Sequence, residues 1–184
     1  MLTHEEISGI IVTLSGENKP YHFTVKAKDE RNVNCYFDQE VEDKVSALYK
    51  KWVRVVGVIS QSHKMCNIET VDYIEMLTSE ELHSIGRYKL SQPITFDLSY
   101  DTTDSLWCLE NHDLALRGYG CSYNDAIQCL EENIEGHVLS FTRFPDSKQS
   151  NDSLSVKMKL KEHIDFNQVI DYLLERDGDT DICL

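Results

Sequence analysis

The stretch YHFTVKAKDERNVNCYF, residues 21–37, contains two runs of alternating apolar and polar residues separated by DERN. Alternation with a period of two is typical of a half-buried strand. Phe23 and Val25 fall on one side of the first run, and Val33 and Cys35 fall on one side of the second. The charged DERN segment predicts a hairpin turn between two paired strands.

The residues on either side of this hairpin continue a regular series. EISGIIVTLSG predicts a preceding strand over 6–16, with a turn at 15–18. Apolar residues recur at helical spacing over 41–52 and predict a short helix. WVRVVGVIS and CNIETVDYIEML, over 52–60 and 66–77, predict two further strands rich in β-branched residues. Three strands, a helix and two strands is the layout of a five-stranded Greek-key barrel.

Short motifs in this first half resemble the nucleic-acid-binding OB-fold domains of the tRNA-anticodon-binding type. The matching pieces lie within residues 5–77: Gly9, Phe23-Thr24-Val25, the run Val33 to Phe37, and the run Val53 to Val58. The resemblance implies an OB-like barrel that binds nucleic acid.

The second half begins with a predicted connector and continues with strands. TSEELHSIGRYKLSQ, residues 78–92, is expected to be a linker with one helical turn. Alternation in PITFDLSYD, then SLWCLEN and LALRGYG, predicts three strands over 93–120. We therefore expect two domains, over 1–77 and 93–184.

The rest of the second half predicts a helix, a strand and a helix. Ser122 is a candidate N-cap for a helix whose apolar residues extend to Phe141. Alternation in LSVKMKLKE, residues 154–162, predicts a fourth strand, and FNQVIDYLLER, residues 166–176, a terminal helix. The predicted fold is α+β: a five-stranded OB-like barrel followed by a βββαβ domain with a terminal helix.

Residues 94–135 resemble the HicB-like antitoxin domain. The similarity rests on Tyr100-Asp101 at a hairpin turn, Trp107 in a strand, the approach Gly118 to Ser122 and Ala126-Ile127 in the helix. The family's glycine-rich hairpin tip and its P-G-C turn are missing. The resemblance implies a domain that masks the basic surface of a small RNA-cleaving toxin, although this chain has no obvious DNA-binding helix–turn–helix.

Charge is unevenly distributed along the 184 residues. The net charge of −14 divides into −3 over residues 1–77 and −11 over residues 78–184. An acidic second half repels polyphosphates and favours a basic partner, although acidity can also serve solubility alone. With 41% apolar and 27% charged residues, the composition is that of a globular protein.

The cysteine spacing and the absence of a signal-peptide pattern predict a cytoplasmic protein. The six cysteines form no CxxC pair, and the opening MLTHEEIS has no signal-peptide pattern, so reduced thiols are expected. No apolar run approaches the roughly 20 residues that span a bilayer, so no membrane contact is expected.

The outward face of the predicted barrel is a candidate nucleic-acid interface. OB folds bind single strands with aromatic and basic side chains on strands two and three. The candidate residues are Lys26, Lys28, Tyr36 and Arg54. Asp38 dilutes the positive field, so weak, salt-sensitive binding is expected. The alternative is an ordinary solvated strand face.

The acidic second half is a candidate surface for a basic protein partner. Glu131 and Glu135 are the candidate partner-binding residues, and with Glu132 they are predicted to lie on a solvated helix face. The terminal helix has an apolar face that either docks a partner or packs on its own domain. That face consists of Phe166, Val169, Ile170 and Leu173.

Catalytic motifs are lacking in this sequence. The seven histidines form no HxH or HxxxH pair, and no GxSxG, phosphate-binding loop or dinucleotide fingerprint occurs. The chain is therefore predicted to be a non-catalytic binding or regulatory protein without a cofactor or metal. A protein partner is the first prediction and single-stranded nucleic acid the alternative; homo-oligomerisation is left open.

Overall fold

The structure is a computed structural model, and it describes residues 3–15, 20–59, 67–144 and 149–178. These residues form nine strands in two sheets and four α-helices, which confirms the predicted α+β class. The predicted turn at 15–18, the loop after Phe144 and the acidic tail fall wholly or partly outside the described residues.

The first sheet contains five strands, and a short helical segment lies between the third and the fourth. The strands are β1 (Thr3–Ser15), β2 (His22–Ala27), β3 (Asn32–Tyr36), β4 (Trp52–Ile59) and β5 (Ile68–Met76). The helical segment is a 3₁₀ turn, Gln39–Val41, followed by α1 (Glu42–Ala47).

These five strands close into a ring in the order β1-β2-β3-β5-β4. β1 pairs antiparallel with both β2 and β4, and a parallel contact between β3 and β5 completes the closure. Phe23 and Val25 on β2 and Val33 and Cys35 on β3 are buried inside, as the alternation predicts. The ring therefore has an apolar interior, and the polar residues of β2 and β3 lie on its outer side.

The second sheet has four strands in the order β6-β7-β8-β9. They are β6 (Ser79–Ile85), β7 (Tyr88–Asp101), β8 (Leu106–Asn111) and β9 (Leu116–Gly120). The helices that follow are α2 (Tyr123–Arg143), α3 (Asn151–His163) and α4 (Phe166–Gly178).

Helix α2 packs closely against β9. A Cβ at Gly118 would collide with the Ala126 carbonyl and the Leu130 side chain, so a larger residue at this position cannot be accommodated without movement. The predicted apolar stripe of α2 is buried at Ala126, Leu130, Ile134, Val138 and Phe141.

The predicted linker over residues 78–92 is wrong, because the chain forms a β-hairpin there. Ile85 pairs with Tyr88, so the turn consists of two residues, Gly86 and Arg87. Gly86 has φ +54°, a backbone conformation that glycine adopts without steric cost and that two-residue hairpins require. The buried side chains of Leu82 and Ile85 hold this hairpin in the core.

The predicted strand over residues 154–162 is also wrong, because these residues lie in α3. The Ser150 side chain accepts a hydrogen bond from the Ser153 amide and caps the helix. Asp152 in the first turn and Lys161 in the last suit the helix dipole. The period-two pattern did not reflect burial, since Met158 is 70% exposed. The predicted βββαβ order is therefore replaced by four strands and three helices.

The chain divides into two compact units whose limits cut across β7 and β8. The first comprises Met1–Thr78, Leu98–Trp107 and Cys121–Asn124, and the second comprises Ser79–Asp97, Cys108–Gly120 and Asp125–Leu184. Within the first unit, Trp52 packs edge-to-face on Trp107 with 4.7 Å between the ring centroids. The indole N–H of Trp52 donates a hydrogen bond to the Ser99 carbonyl. The predicted limits of the two domains stay a prediction.

Candidate functional site

Of the four residues predicted to bind nucleic acid, Lys26 on β2 and Tyr36 on β3 lie on neighbouring strands, whereas Arg54 lies on β4, which pairs with neither of these strands. β2 and β3 pair in a register that sets His22 opposite Tyr36 and Lys26 opposite Asn32. The rings of His22 and Tyr36 lie 5.5 Å apart on the outer side of the ring of strands. Thr24 lies between His22 and Lys26 and donates a 2.9 Å hydrogen bond to Asn34. This face therefore combines one ring pair with polar groups.

The basic side chains near this face are engaged within the first unit. Lys26 Nζ donates to the Cys121 carbonyl at 3.0 Å. The ammonium group of Lys28 lies 5.0 Å from the Tyr123 ring centroid, within the range of a cation–π contact. These contacts occupy both ammonium groups, which would have to give up part of them to bind a phosphate backbone.

Arg54 on β4 is also paired. Its guanidinium group forms ion pairs with Glu6 at 3.2 Å and with Glu75 at 3.1 Å. Two carboxylates on one guanidinium leave a local negative excess, which disfavours phosphate binding at this point.

The prediction that Glu131 and Glu135 lie on a solvated helix face is wrong. Glu131 is 7% exposed and Glu135 is 6% exposed, whereas Glu132 between them is exposed. Both buried carboxylates lie on the side of α2 that carries Ile134 and Val138, because residues three and four apart share a helix face. A buried carboxylate is not accessible to a partner's surface, so neither residue is a partner-binding group.

Glu131 binds the hairpin turn that joins β6 to β7. It accepts a hydrogen bond from the Arg87 amide at 3.2 Å and forms an ion pair with the guanidinium group of Arg87. A Cβ at Gly86 would collide with the Glu131 carboxylate. Glycine is therefore required at this position both by the backbone conformation and by the buried acid.

Glu135 connects β7 with α4. It accepts a 2.9 Å hydrogen bond from the Tyr88 hydroxyl and forms a 3.1 Å ion pair with Arg176. Burial, and after it the hydrogen bond to Glu135, raises the pKa of Tyr88. Tyr88 thus keeps its proton and acts as a donor to the carboxylate.

A cavity of about 480 Å³ opens beside these pairs in the second unit. The guanidinium carbon of Arg87 lies 3.8 Å from the centroid of the Tyr172 ring. The rings of Tyr88 and Tyr172 pack edge-to-face with 6.3 Å between their centroids. Residues that line the cavity are Arg87, Tyr88, Asp165, Asn167, Gln168, Asp171, Tyr172 and Glu175.

The charge around this cavity is negative. Glu131 neutralises Arg87, and Glu135 neutralises Arg176. In the part of the chain that the structure describes, no lysine or arginine forms an ion pair with Asp165, Asp171 or Glu175. Asp171 and Glu175 are four residues apart on α4 and share one face of the helix. The cavity therefore offers carboxylates and aromatic surface to a cation.

The described residues give little support to metal binding or to a cysteine nucleophile. His, Cys, Asp and Glu form no group of three or more there that would hold a metal ion. Burial raises the pKa of the Cys35 thiol to about 12, so this cysteine is not a nucleophile at neutral pH. Among the described helices, none has the length and apolarity that crossing a bilayer requires.

Sequence reasoning missed Arg87, Tyr172 and Arg176. A signal was present in α2, since Glu131 follows Ile127 by four residues and precedes Ile134 by three. Acids in an apolar stripe indicate buried carboxylates that need partners. The partners are distant in sequence, so their identity could not be read from this pattern.

No protein-family model matches the chain, and no curated protein or solved structure matches it. Function is therefore inferred from the residues and their geometry.

Proposed function

We propose that this chain is a non-catalytic binding protein that engages a basic protein partner through the acidic cavity of its second unit. The observation that carries the proposal is the set of three carboxylates, Asp165, Asp171 and Glu175, that remain after Arg87 and Arg176 are neutralised internally. A cationic side chain of a partner would supply the missing positive charge.

The surface of the cavity also suits a cation. Its aromatic residue Tyr172 already stacks on one guanidinium group, that of Arg87. Aromatic rings and carboxylates together are the groups that recognise lysine and arginine side chains. The net charge of −11 over residues 78–184 would add long-range attraction and raise the association rate.

An antitoxin-like role is one form of this proposal. It is supported by the order of β7, β8, β9 and α2 in residues 94–135, which is the strand–strand–strand–helix order that the HicB-like resemblance implies. The helix found over residues 151–163, where a strand was predicted, departs from that resemblance. In this role the chain would cover a surface of a basic protein.

The test is a pull-down from host extract at low salt after nuclease treatment, read by mass spectrometry. The tagged native chain is compared with Asp171→Asn/Glu175→Gln, which removes two cavity charges, and with Glu132→Gln/Asp97→Asn. The last variant removes two exposed charges outside the cavity lining. A basic protein retained by the native chain and the control but lost from the cavity variant supports the proposal. Equal retention by all three refutes the cavity's role.

As a second candidate, we propose that the ring of strands is an OB fold that binds single-stranded nucleic acid. The ring closure of five strands, with a short helix between β3 and β4, supports this reading. The contact of His22 with Tyr36 on the outer side supplies an aromatic surface on which a base could stack.

This second candidate predicts the effect of three substitutions on binding of a labelled single-stranded oligonucleotide. Lys26→Ala and Lys28→Ala should each weaken binding and make it less salt-dependent, because each lysine would neutralise a phosphate. Tyr36→Ala should cost about 1–3 kcal/mol of stacking energy. Unchanged affinity in all three variants would exclude this face.

A further inference from the structure

The acidic cavity of the second unit already contains a cation that belongs to this chain. Among the described residues that line the cavity, Arg87 is the only basic one. Its guanidinium carbon lies 3.8 Å from the centroid of the Tyr172 ring, and its side chain is 41% exposed. A guanidinium group over a ring at this distance makes a cation–π contact. The cavity therefore shows, through one of its own residues, which kind of cation its aromatic surface accepts.

Carboxylates accompany the Tyr172 ring on the same helix. Asp171 and Glu175 are four residues apart on α4, and both line the cavity together with Tyr172. A guanidinium group is planar, so it can stack on an aromatic ring while its N–H groups bind a carboxylate. The ammonium group of lysine is a compact, strongly hydrated charge without such a plane. A ring with carboxylates beside it therefore favours arginine over lysine.

We propose that the cation recognised by this cavity is the guanidinium group of a partner's arginine, which displaces Arg87 from Tyr172 and pairs with Asp171 or Glu175. The assignment rests on the proposed function, because it names the side chain that the acidic cavity would bind. Arg87 is then an internal competitor whose tether gives it a high effective concentration at the ring. The partner's apparent affinity is reduced in proportion to the fraction of molecules in which the ring is free.

Displacement of Arg87 from the ring does not leave Glu131 without a hydrogen-bond donor. Besides the ion pair with the guanidinium group, the Glu131 carboxylate accepts a 3.2 Å hydrogen bond from the Arg87 backbone amide. The amide stays in place when the side chain turns away from Tyr172. Because the Arg87 side chain is partly exposed, its charge can turn towards solvent. The competition therefore concerns the face of the ring and leaves the hairpin turn intact.

Fluorescence anisotropy at low salt tests the choice of cation with an arginine-rich peptide and the same peptide with every arginine replaced by lysine. We expect the native chain to bind the arginine peptide about tenfold more tightly than the lysine peptide. Tyr172→Leu should bind the two peptides about equally, and Tyr172→Phe, which keeps an aromatic face, should restore the preference. The control is Tyr119→Leu, which changes an exposed tyrosine outside the cavity and should keep the native preference.

The competition by Arg87 is tested with Arg87→Gln/Glu131→Gln, which removes one charge of each sign and so keeps the net charge. Without the guanidinium group on Tyr172, affinity for the arginine peptide should rise about three- to tenfold. The matched control is Arg117→Gln/Glu110→Gln. It removes an ion pair of 3.6 Å on β8 and β9, outside the cavity lining, and should bind like the native chain.

The possible failures separate this assignment from the proposed function. If Asp171→Asn/Glu175→Gln weakens both peptides while the native chain binds them equally, arginine recognition is overturned and the acidic cavity still binds a cation. If Asp171→Asn/Glu175→Gln affects neither peptide, both proposals are overturned. An arginine preference that persists in Tyr172→Leu excludes the ring as its source. Native affinity in Arg87→Gln/Glu131→Gln, with a native circular dichroism spectrum, excludes Arg87 as a competitor.

Discussion

The guanidinium group of Arg87 lies against the Tyr172 ring, with 3.8 Å between its central carbon and the ring centroid. The same side chain forms the ion pair with buried Glu131. One arginine in a two-residue hairpin turn thus contacts both α2 and α4. The turn, the buried acids and the cavity are physically coupled, so substitutions in any one of them should affect the others.

Replacing Gly86 by alanine should destabilise the chain by about 1–3 kcal/mol, because alanine at positive φ is strained and its Cβ would collide with Glu131. The matched control is Gly136→Ala. Gly136 lies inside α2 with open space around it, so alanine there should stabilise by about 0.5–1 kcal/mol. Urea unfolding measures both, and equal effects of the two substitutions would contradict the strained turn.

Glu131→Gln should lower the free energy of unfolding by about 1–3 kcal/mol, since it removes the charge that pairs with Arg87 and weakens the acceptor for the Arg87 amide. The exposed neighbour Glu132→Gln should change it by less than about 0.5 kcal/mol. Denaturant titrations of the two variants provide the comparison. A negligible effect of Glu131→Gln would mean that the buried pair does not stabilise the fold.

The raised pKa of Tyr88 predicts that the folded state loses stability at high pH. Its pKa is raised above the ordinary value of about 10 by burial and by the hydrogen bond to Glu135, so the folded state holds the proton more tightly than the unfolded state. This contribution is fully present below pH about 10 and is lost as the pH rises further.

The measurement for Tyr88 is urea unfolding across this alkaline range. In Tyr88→Phe the decline in stability should be shallower than in the native chain. Tyr100→Phe, on the same strand, is the control and should keep the native slope. Identical slopes in all three proteins would show that Tyr88 does not carry the effect.

Cys35 and Cys121 should differ in their reaction with iodoacetamide. Burial raises the pKa of Cys35 to about 12, whereas Cys121 is exposed. The thiolate is the reactive form, so under native conditions at pH 8 peptide mapping should find Cys121 modified and Cys35 protected. In urea both should react. Rapid native modification of Cys35 would contradict its place inside the ring of strands.

The strands of the first unit could be predicted because one face of each is buried. Phe23, Val25, Val33 and Cys35 alternate with polar residues, and the structure buries all four. Period-two patterning reports burial directly in such strands. Closure of the ring depends on contacts between strands distant in sequence, which the same pattern does not specify.

The errors in the second half have separate physical causes. In LSVKMKLKE, residues 154–162, lysines alternate with apolar residues, but this alternation does not mark a buried strand face. The Ser150 cap and residues of high helix propensity favour α3 instead. The hairpin turn consists of Gly86 and Arg87, and of these only the glycine is a residue type that favours turns. The partners of Glu131 and Glu135, Arg87 and Arg176, lie more than 40 residues away and become neighbours only through tertiary packing.

The most direct test of the acidic cavity is the affinity of the chain for a fluorescently labelled peptide rich in arginine and lysine, measured by anisotropy at low salt. We expect Asp171→Asn/Glu175→Gln to weaken binding about tenfold, or about 1.4 kcal/mol, while Glu132→Gln/Asp97→Asn, with the same net charge, binds like the native chain. If the two variants bind equally well, the cavity does not recognise the cation, and general electrostatic attraction accounts for the binding.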